Sequence, residues 1–232
     1  MKKGSRYVME EWLYIQNEAA PALLRGFRVS VQLIVPSATM GLLLGILVGT
    51  LRVFGNRAVA AAANLYVTLF RGIPLVVQLF VWYFGLPYWN IYLEPFTAAV
   101  LGFTLCSAAY HSEYIRGALL SIKRGQMLAA HSLGFTRIQT IFSVILPQAM
   151  RRALPGCGNE IIYLIKYSSL AYMITCIELT GEGKILASDS FKFTEVFLLV
   201  GLCYLVMTTL ATLLLHALET RLRLPGFEHR SY

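Results

Sequence analysis

Apolar residues run along this chain in long blocks, without the period-two alternation that marks strands with one buried face. Windows of about 20 residues, the length that carries a helix across hydrocarbon at about 1.5 Å per residue, pick out five predicted spans at 27–51, 60–86, 97–120, 157–178 and 193–218. A backbone in lipid must satisfy its own hydrogen bonds, and a helix does so within one segment, so the blocks predict helices and not barrel strands. The first block is too long, begins too late and lacks the small-residue cleavage site of a signal sequence. No internal repeat or low-complexity linker divides the chain, which predicts a single domain over residues 1–232.

Between the third and fourth blocks the pattern changes. The stretch RGQMLAAHSLGFTRIQTIFSVILPQAMRRALPG, residues 124–156, carries four arginines and one histidine. Gly134 is placed to close one short helix, and Thr136 with Gln139 forms a T-x-x-Q capping box that opens the next. Ile138, Ile141, Phe142 and Ile145 then recur at the spacing of one helix face, and Pro147 is expected to break or bend it. The product is helix, turn, helix. Ala129 and Ala130 are small enough for the first helix to approach a partner's groove closely, and the alternative is a hairpin lying on headgroups with Arg137, Arg151 and Arg152 on phosphates. The residues alone leave both readings open.

Composition agrees with the blocks: 57% of residues are hydrophobic and only 14% charged, too few to clothe a soluble domain of this size. The fold class is therefore all-α integral membrane. The net charge of +8 reports topology and membrane lipid before nucleic acid, since no soluble basic domain is present. Arg52 and Arg57, then Lys123, Arg124, Arg137, Arg151 and Arg152, then Arg221, Arg223 and Arg230 follow the first, third and fifth spans, which predicts cytoplasmic faces there. The loops 87–96 and 178–192, with Glu94 in one and Glu178, Glu182, Asp189, Lys184 and Lys192 in the other, are then outside. So is an N-terminal stub, 1–26, despite Lys2, Lys3, Arg6, Arg25 and, just beyond it, Arg28, which Glu10, Glu11 and Glu18 partly offset. The loop 121–156 and the tail 219–232 are cytoplasmic on the same reasoning. Cys106, Cys157, Cys176 and Cys203 lie scattered in apolar segments as packing residues, and the four histidines form no ligand pair, so neither a metal site nor catalysis is expected. No GxxxxGK[ST] phosphate loop occurs, so no nucleotide is expected on this chain.

Ionisable groups at membrane depth are costly and mark candidate sites. Arg71 precedes the Gly72 and Pro74 interruption of the second block, and it reads either as a pathway charge or as a snorkelling anchor. Glu113 and Arg116 are three apart, the spacing of an intrahelical pair. Glu160, after Pro155 and Gly156, is expected near a helix start, where a carboxylate favours the positive end of the dipole. Lys166 lies about 9 Å further along and is the foremost pathway candidate. A zwitterionic solute needs both signs of charge, so Arg71, Glu113, Glu160 and Lys166 form the candidate pathway set, with a structural ion network as the alternative.

Ala129-Ala130, three residues, Gly134, nine residues, then Val144-Ile145-Leu146-Pro147 is similar to the EAA loop of bacterial ABC importer permeases. The runs LFRGIPLVVQLFVWYFGLP (69–87), AAYHSEYIRGALLSIKRGQ (108–126) and LPQAMRRALPGCGNEIIYLIKYSSL (146–170) resemble those of the polar amino-acid branch, the histidine- and glutamine-type permeases. The resemblance implies a type I importer permease fold in the bacterial inner membrane, with N-terminus outside and C-terminus cytoplasmic. It also implies that Gln126, Ala129, Ala130, Gly134, Ile138, Phe142, Leu146 and Pro147 couple to an ATPase. Implied partners are two ATPase subunits that carry ATP and magnesium, a second permease, identical or paralogous, and a periplasmic or lipid-tethered solute-binding protein. Leu128 stands where the motif has glutamate, and Tyr167-Ser168 replace an Asp-Thr pair. An ATP-independent channel or carrier would be expected to show inverted repeats, which the five blocks lack, whereas a non-transporting assembly subunit fits the departures at Leu128 and Tyr167.

Overall fold

The computed structural model describes residues 13–222. Lys2, Lys3, Arg6, Glu10 and Glu11 of the stub, and Arg223, His229 and Arg230 of the tail, lie outside the described residues. Within them the chain is helical, with no strand. Helix α1 (Ile15–Phe54) opens on a π turn at Ile15–Ala19 and carries Pro36 in its interior. Helix α2 (Arg57–Gly72) is capped by Asn56, whose side chain accepts from the Val59 amide at 2.9 Å. It stops where Ile73, restricted by the following Pro74, turns extended. Helix α3 (Leu75–Trp89) widens into a π turn at Val81–Gly85, tightens to a 3-10 turn at Leu86–Trp89 and ends on left-handed Asn90. Helix α4 (Pro95–Leu120) starts on a proline, which fits a first turn with no amide partner. After it come α5 (Arg124–Ser132), α6 (Arg137–Ile174), α7 (Leu179–Ser190) and α8 (Phe193–Leu222).

Helices α1 and α8 are each long and apolar enough to cross a bilayer, and the broken runs α2 with α3 and α6 with α7 raise the number of candidate spans to four. Helix α4 covers the predicted span 97–120 and is 26 residues long. Its last turns hold Tyr110, His111, Ser112, Glu113 and Arg116, which lower its apolar character.

The predicted span 157–178 needs correction. Helix α6 is α-helical over Leu146–Tyr167, passing through Pro155, and becomes a 3-10 turn over Ser168–Ile174. Pro147 does not end it either. A π turn at Ile141–Ile145 comes directly before, and its wider winding accommodates a residue that has no amide to donate and whose ring crowds the preceding turn. The predicted outer loop 178–192 contains the twelve-residue helix α7.

The chain divides into two compact units, 1–37 with 75–103 and 164–209, and 38–74 with 104–163 and 210–232. In the first, Glu178 caps α7 and is fully buried. Its carboxylate accepts from the amides of Thr180 at 3.0 Å and Gly181 at 3.1 Å, and from the hydroxyls of Tyr204 at 2.8 Å and Ser30 at 3.4 Å. Ser30 accepts the Leu179 amide in turn, at 3.2 Å. The backbones of α1 and α7 touch here, because a Cβ on Gly26 would stand 2.7 Å from Leu179 Cα. Arg25 reaches Glu182 with both Nε (3.2 Å) and Nη2 (3.1 Å), so one cation of the N-terminal region is neutralised by a carboxylate of the 178–192 segment.

In the second unit, Gly41, Gly45 and Gly49 form one row on α1 that meets Ser107, His111, Ser112 and Ile115 of α4. Small residues at this spacing let two helices approach to backbone contact. Ile115, Leu119, Ile145, Ala149, Ala153 and Cys157 form a core between α4 and α6. A Cβ at Gly45 would lie 2.5 Å from His111 Cβ, an atom that cannot rotate away. Gly45→Val is therefore expected to cost about 1–3 kcal/mol as overpacking, read as a loss of thermal stability of the detergent-purified protein. Gly201→Ala, where nothing lies within 4 Å of the added atom, should leave stability unchanged.

Candidate functional site

The hairpin of the second unit is held by its own backbone chemistry. At the end of α5 the Phe135 amide bonds to Ala130 carbonyl (3.1 Å) and the Gly134 amide to His131 carbonyl (2.9 Å). This is a Schellman closure, and it requires the left-handed backbone that Gly134 supplies at φ 86°. Thr136 then accepts the Gln139 amide at 3.3 Å while the Gln139 side chain accepts the Thr136 amide at 2.9 Å, completing the capping box. Two arginines fasten the hairpin to its surroundings: Arg137 donates to the carbonyl of Phe54, the last residue of α1, at 3.0 Å, and Arg152 donates to Ser121 carbonyl at 2.8 Å and hydroxyl at 2.9 Å.

Of the eight predicted coupling residues, Gln126, Ala129, Gly134, Ile138, Phe142 and Pro147 are exposed, Ala130 is buried and Leu146 half-buried. The expected single apolar face splits. Ile141 and Ile145 pack into the core, while Ile138 and Phe142 face outwards, because the π turn shifts the winding between them. Leu128, at the position of the motif's glutamate, is 71% exposed.

The second candidate set lies among α1, α2 and α4. Glu113 accepts from Arg116 at 2.6 Å, the pair its spacing predicts, and from Arg52 at 2.6 Å. Arg71 approaches the same carboxylate at 3.5 Å, with its guanidinium 5.2 Å from the Tyr110 ring centroid. Arg52 is the most enclosed of the three arginines and also donates to Asn64 at 2.7 Å and Ser112 at 3.3 Å. One carboxylate thus faces three arginines. Glu160 is 3% exposed and lies within α6, fourteen residues beyond Leu146, so it does not cap a helix start; the helix begins earlier because Pro155 and Gly156 are absorbed into it. Lys166 belongs to the other unit and is exposed on α6.

Sequence reasoning treated Arg52 only as a loop charge. A signal was available: Arg52 lies three residues after Gly49, continuing the Gly41, Gly45, Gly49 row towards α4. The structural role of Glu178 was also missed, although a carboxylate three residues before Gly181 is a capping pattern. Among the described residues no group of three His, Cys, Asp or Glu could hold a metal ion.

Long apolar helices, two broken helix pairs and a capped hairpin define the permease fold of a type I ABC importer. The chain is 32% identical to a chain in the crystal structure of an amino acid ABC transporter with histidines, with a TM-score of 0.80 and coverage of 87% of this chain and 94% of that one. The model of the binding-protein-dependent transport system inner membrane component family matches residues 41–224, and the chain belongs to that family. It is 37% identical to the probable amino-acid ABC transporter permease protein YckA of Bacillus subtilis, over 91% of this chain and 96% of that protein. It is 38% identical to the glutamine transport system permease protein GlnP of Escherichia coli K12, over 89% and 95% respectively. It is an integral protein of the inner membrane, a permease subunit working with ATPase and further permease subunits.

The unequal grip on Glu113 ranks the cluster's contributions. Glu113→Gln leaves Arg52 and Arg116 facing a neutral amide and is expected to cost about 1–3 kcal/mol, as for polar groups left without their charged partner in a half-buried site. Arg71→Gln removes a long contact to a side chain that is 40% exposed, and should cost less than about 1 kcal/mol. Thermal unfolding of the two purified variants checks the order.

Proposed function

We propose that this chain forms half of the translocation pathway of an ATP-driven importer for polar amino acids and takes its drive through residues 126–146. The observation that carries the proposal is the capped hairpin, with six of the eight expected coupling residues exposed on a scaffold tied to the ends of α1 and α4. Two copies of a separate ATPase, holding ATP and magnesium, dock on the hairpins of two permease chains, this one and an identical or paralogous partner. A periplasmic or lipid-tethered binding protein delivers solute to the opposite face. The stub 1–26 lies outside, and the loop 121–156 and the tail 219–232 lie in the cytoplasm. The pairing of Arg25 with Glu182 supports that topology, since it puts residue 25 on the side of the 178–192 segment. ATP binding draws the hairpins together and opens the pathway outwards; hydrolysis resets it.

Within the pathway, Arg71 is the group best suited to an amino acid's carboxylate. Glu113 is occupied by Arg52 and Arg116, which leaves Arg71 the exposed and loosely held cation of the cluster. Glu160, 3% exposed, lies within electrostatic reach of Arg71. Lys166 supplies a second cation on α6.

In proteoliposomes holding the intact complex, Arg71→Gln is expected to lower amino-acid uptake about tenfold or more, the loss of one charge-assisted contact, with subunit stoichiometry unchanged. Uptake at the unmodified rate by Arg71→Gln and by Lys166→Met would remove both from the pathway. Failure of the purified chain to retain an ATPase subunit would sink the reading as a whole.

Leu128 makes the docking face apolar where the family motif offers an anion. A paralogous permease carrying the full motif supplies the anionic contact in that case, so Leu128→Glu should change transport-coupled ATPase activity by less than about twofold, as for an exposed charge. A large gain counts against the paralogous partner.

A further inference from the structure

Between the hairpin and the ends of α1 and α4 lies a cavity of about 560 Å³. Its walls are apolar: Val53 and Phe54 from the last turn of α1, Leu119 and Ile122 from the end of α4, Met127 and Ile145 from the hairpin. Lys123, Arg124 and His131 are its polar lining. Volume and lining are those of a ligand site, mostly apolar with a few polar groups at one edge.

The charge around the cavity is one-sided. Residues 114–159 contain Arg116, Lys123, Arg124, Arg137, Arg151 and Arg152 and no Asp or Glu. Three of these arginines are committed, Arg116 to Glu113, Arg137 to Phe54 carbonyl and Arg152 to Ser121. Lys123 and Arg124, at the cavity, are exposed and make no ion pair among the described residues. Phe54 ends α1 and Leu120 ends α4, so the cavity lies where two long helices stop.

We infer that this cavity binds an anionic phospholipid, one acyl chain between the helix ends and the hairpin, and the phosphate on Lys123 and Arg124. Basic pockets between membrane helices recognise anionic headgroups in this way. The inference rests on reading α1 and α4 as spans that end at one membrane face. It gives the hairpin a lipid contact that adjoins, at Leu128, the surface proposed to meet the ATPase, so that leaflet composition sets the hairpin's seating.

Native mass spectrometry of the intact complex, delipidated and titrated with dioleoyl-phosphatidylglycerol or dioleoyl-phosphatidylcholine, tests it. One phosphatidylglycerol per chain should bind about tenfold or more tightly than phosphatidylcholine, as two basic groups predict. The exposed double substitution Lys123→Gln with Arg124→Gln should remove that preference, and Ile122→Trp, which intrudes into the cavity, should weaken the tight adduct. Equal affinity for the two lipids overturns the proposal. So does displacement of phosphatidylglycerol by millimolar glycerol phosphate, which indicates a bare anion site, and so does binding seen only after the ATPase is stripped away, which assigns the cavity to that protein. The lipid count is independent of uptake and of ATPase retention, so its failure leaves the transport reading standing, and the converse holds.

Discussion

Lipid tails are as apolar as leucine, so two helices in a membrane gain little by burying leucine faces against each other and must hold by close approach and polar contact. In the second unit α1 meets α4 in this manner, through the glycine row at 41, 45 and 49 against Ser107, His111, Ser112 and Ile115. The contact also fixes register. Arg52 lies three residues beyond Gly49 on the same side, and the packing that accepts the glycines delivers its guanidinium to Glu113 at 2.6 Å. A slip of one residue would turn α1 by about 100° and leave both charges in apolar surroundings, where each is costly. Packing and ion cluster therefore stand or fall together.

The hairpin inherits this order at the helix ends. Arg137 holds the terminal carbonyl of α1, a group that no turn of its own helix can satisfy. Arg152 does the same for Ser121, just beyond the end of α4. Beyond the capping box α6 continues unbroken from Arg137 to Ile174 through two prolines.

Long-range periodicity was legible in the sequence and local helix chemistry nearly as much. Spans 97–120 and 193–218 fall on α4 and α8, and the Gly134, Thr136 and Gln139 signals each perform the expected bond. What escaped reading depends on packing. Pro147 and Pro155 signal helix ends by intrinsic preference, but a π turn before one and tertiary contacts around the other keep α6 helical. Helix α7 was hidden because its residues are polar enough for a loop, and the buried Glu178 cap pins its start. Arg116 could be paired with Glu113 from spacing alone, whereas Arg52, 61 residues away, needed the glycine row to be read as a contact.

The two acidic nodes, Glu178 and Glu113, differ in the donors that hold them. Glu178 receives two amides and two hydroxyls, all neutral donors fixed by α1, α7 and α8, so its geometry has no slack and no partner with charge to spare. Glu113 receives three cations for one negative charge, two at 2.6 Å and one at 3.5 Å. The contact to Arg71, whose side chain is 40% exposed, is the longest and the weakest of the three. A carboxylate held by neutral donors locks a helix; one shared among cations is held unequally.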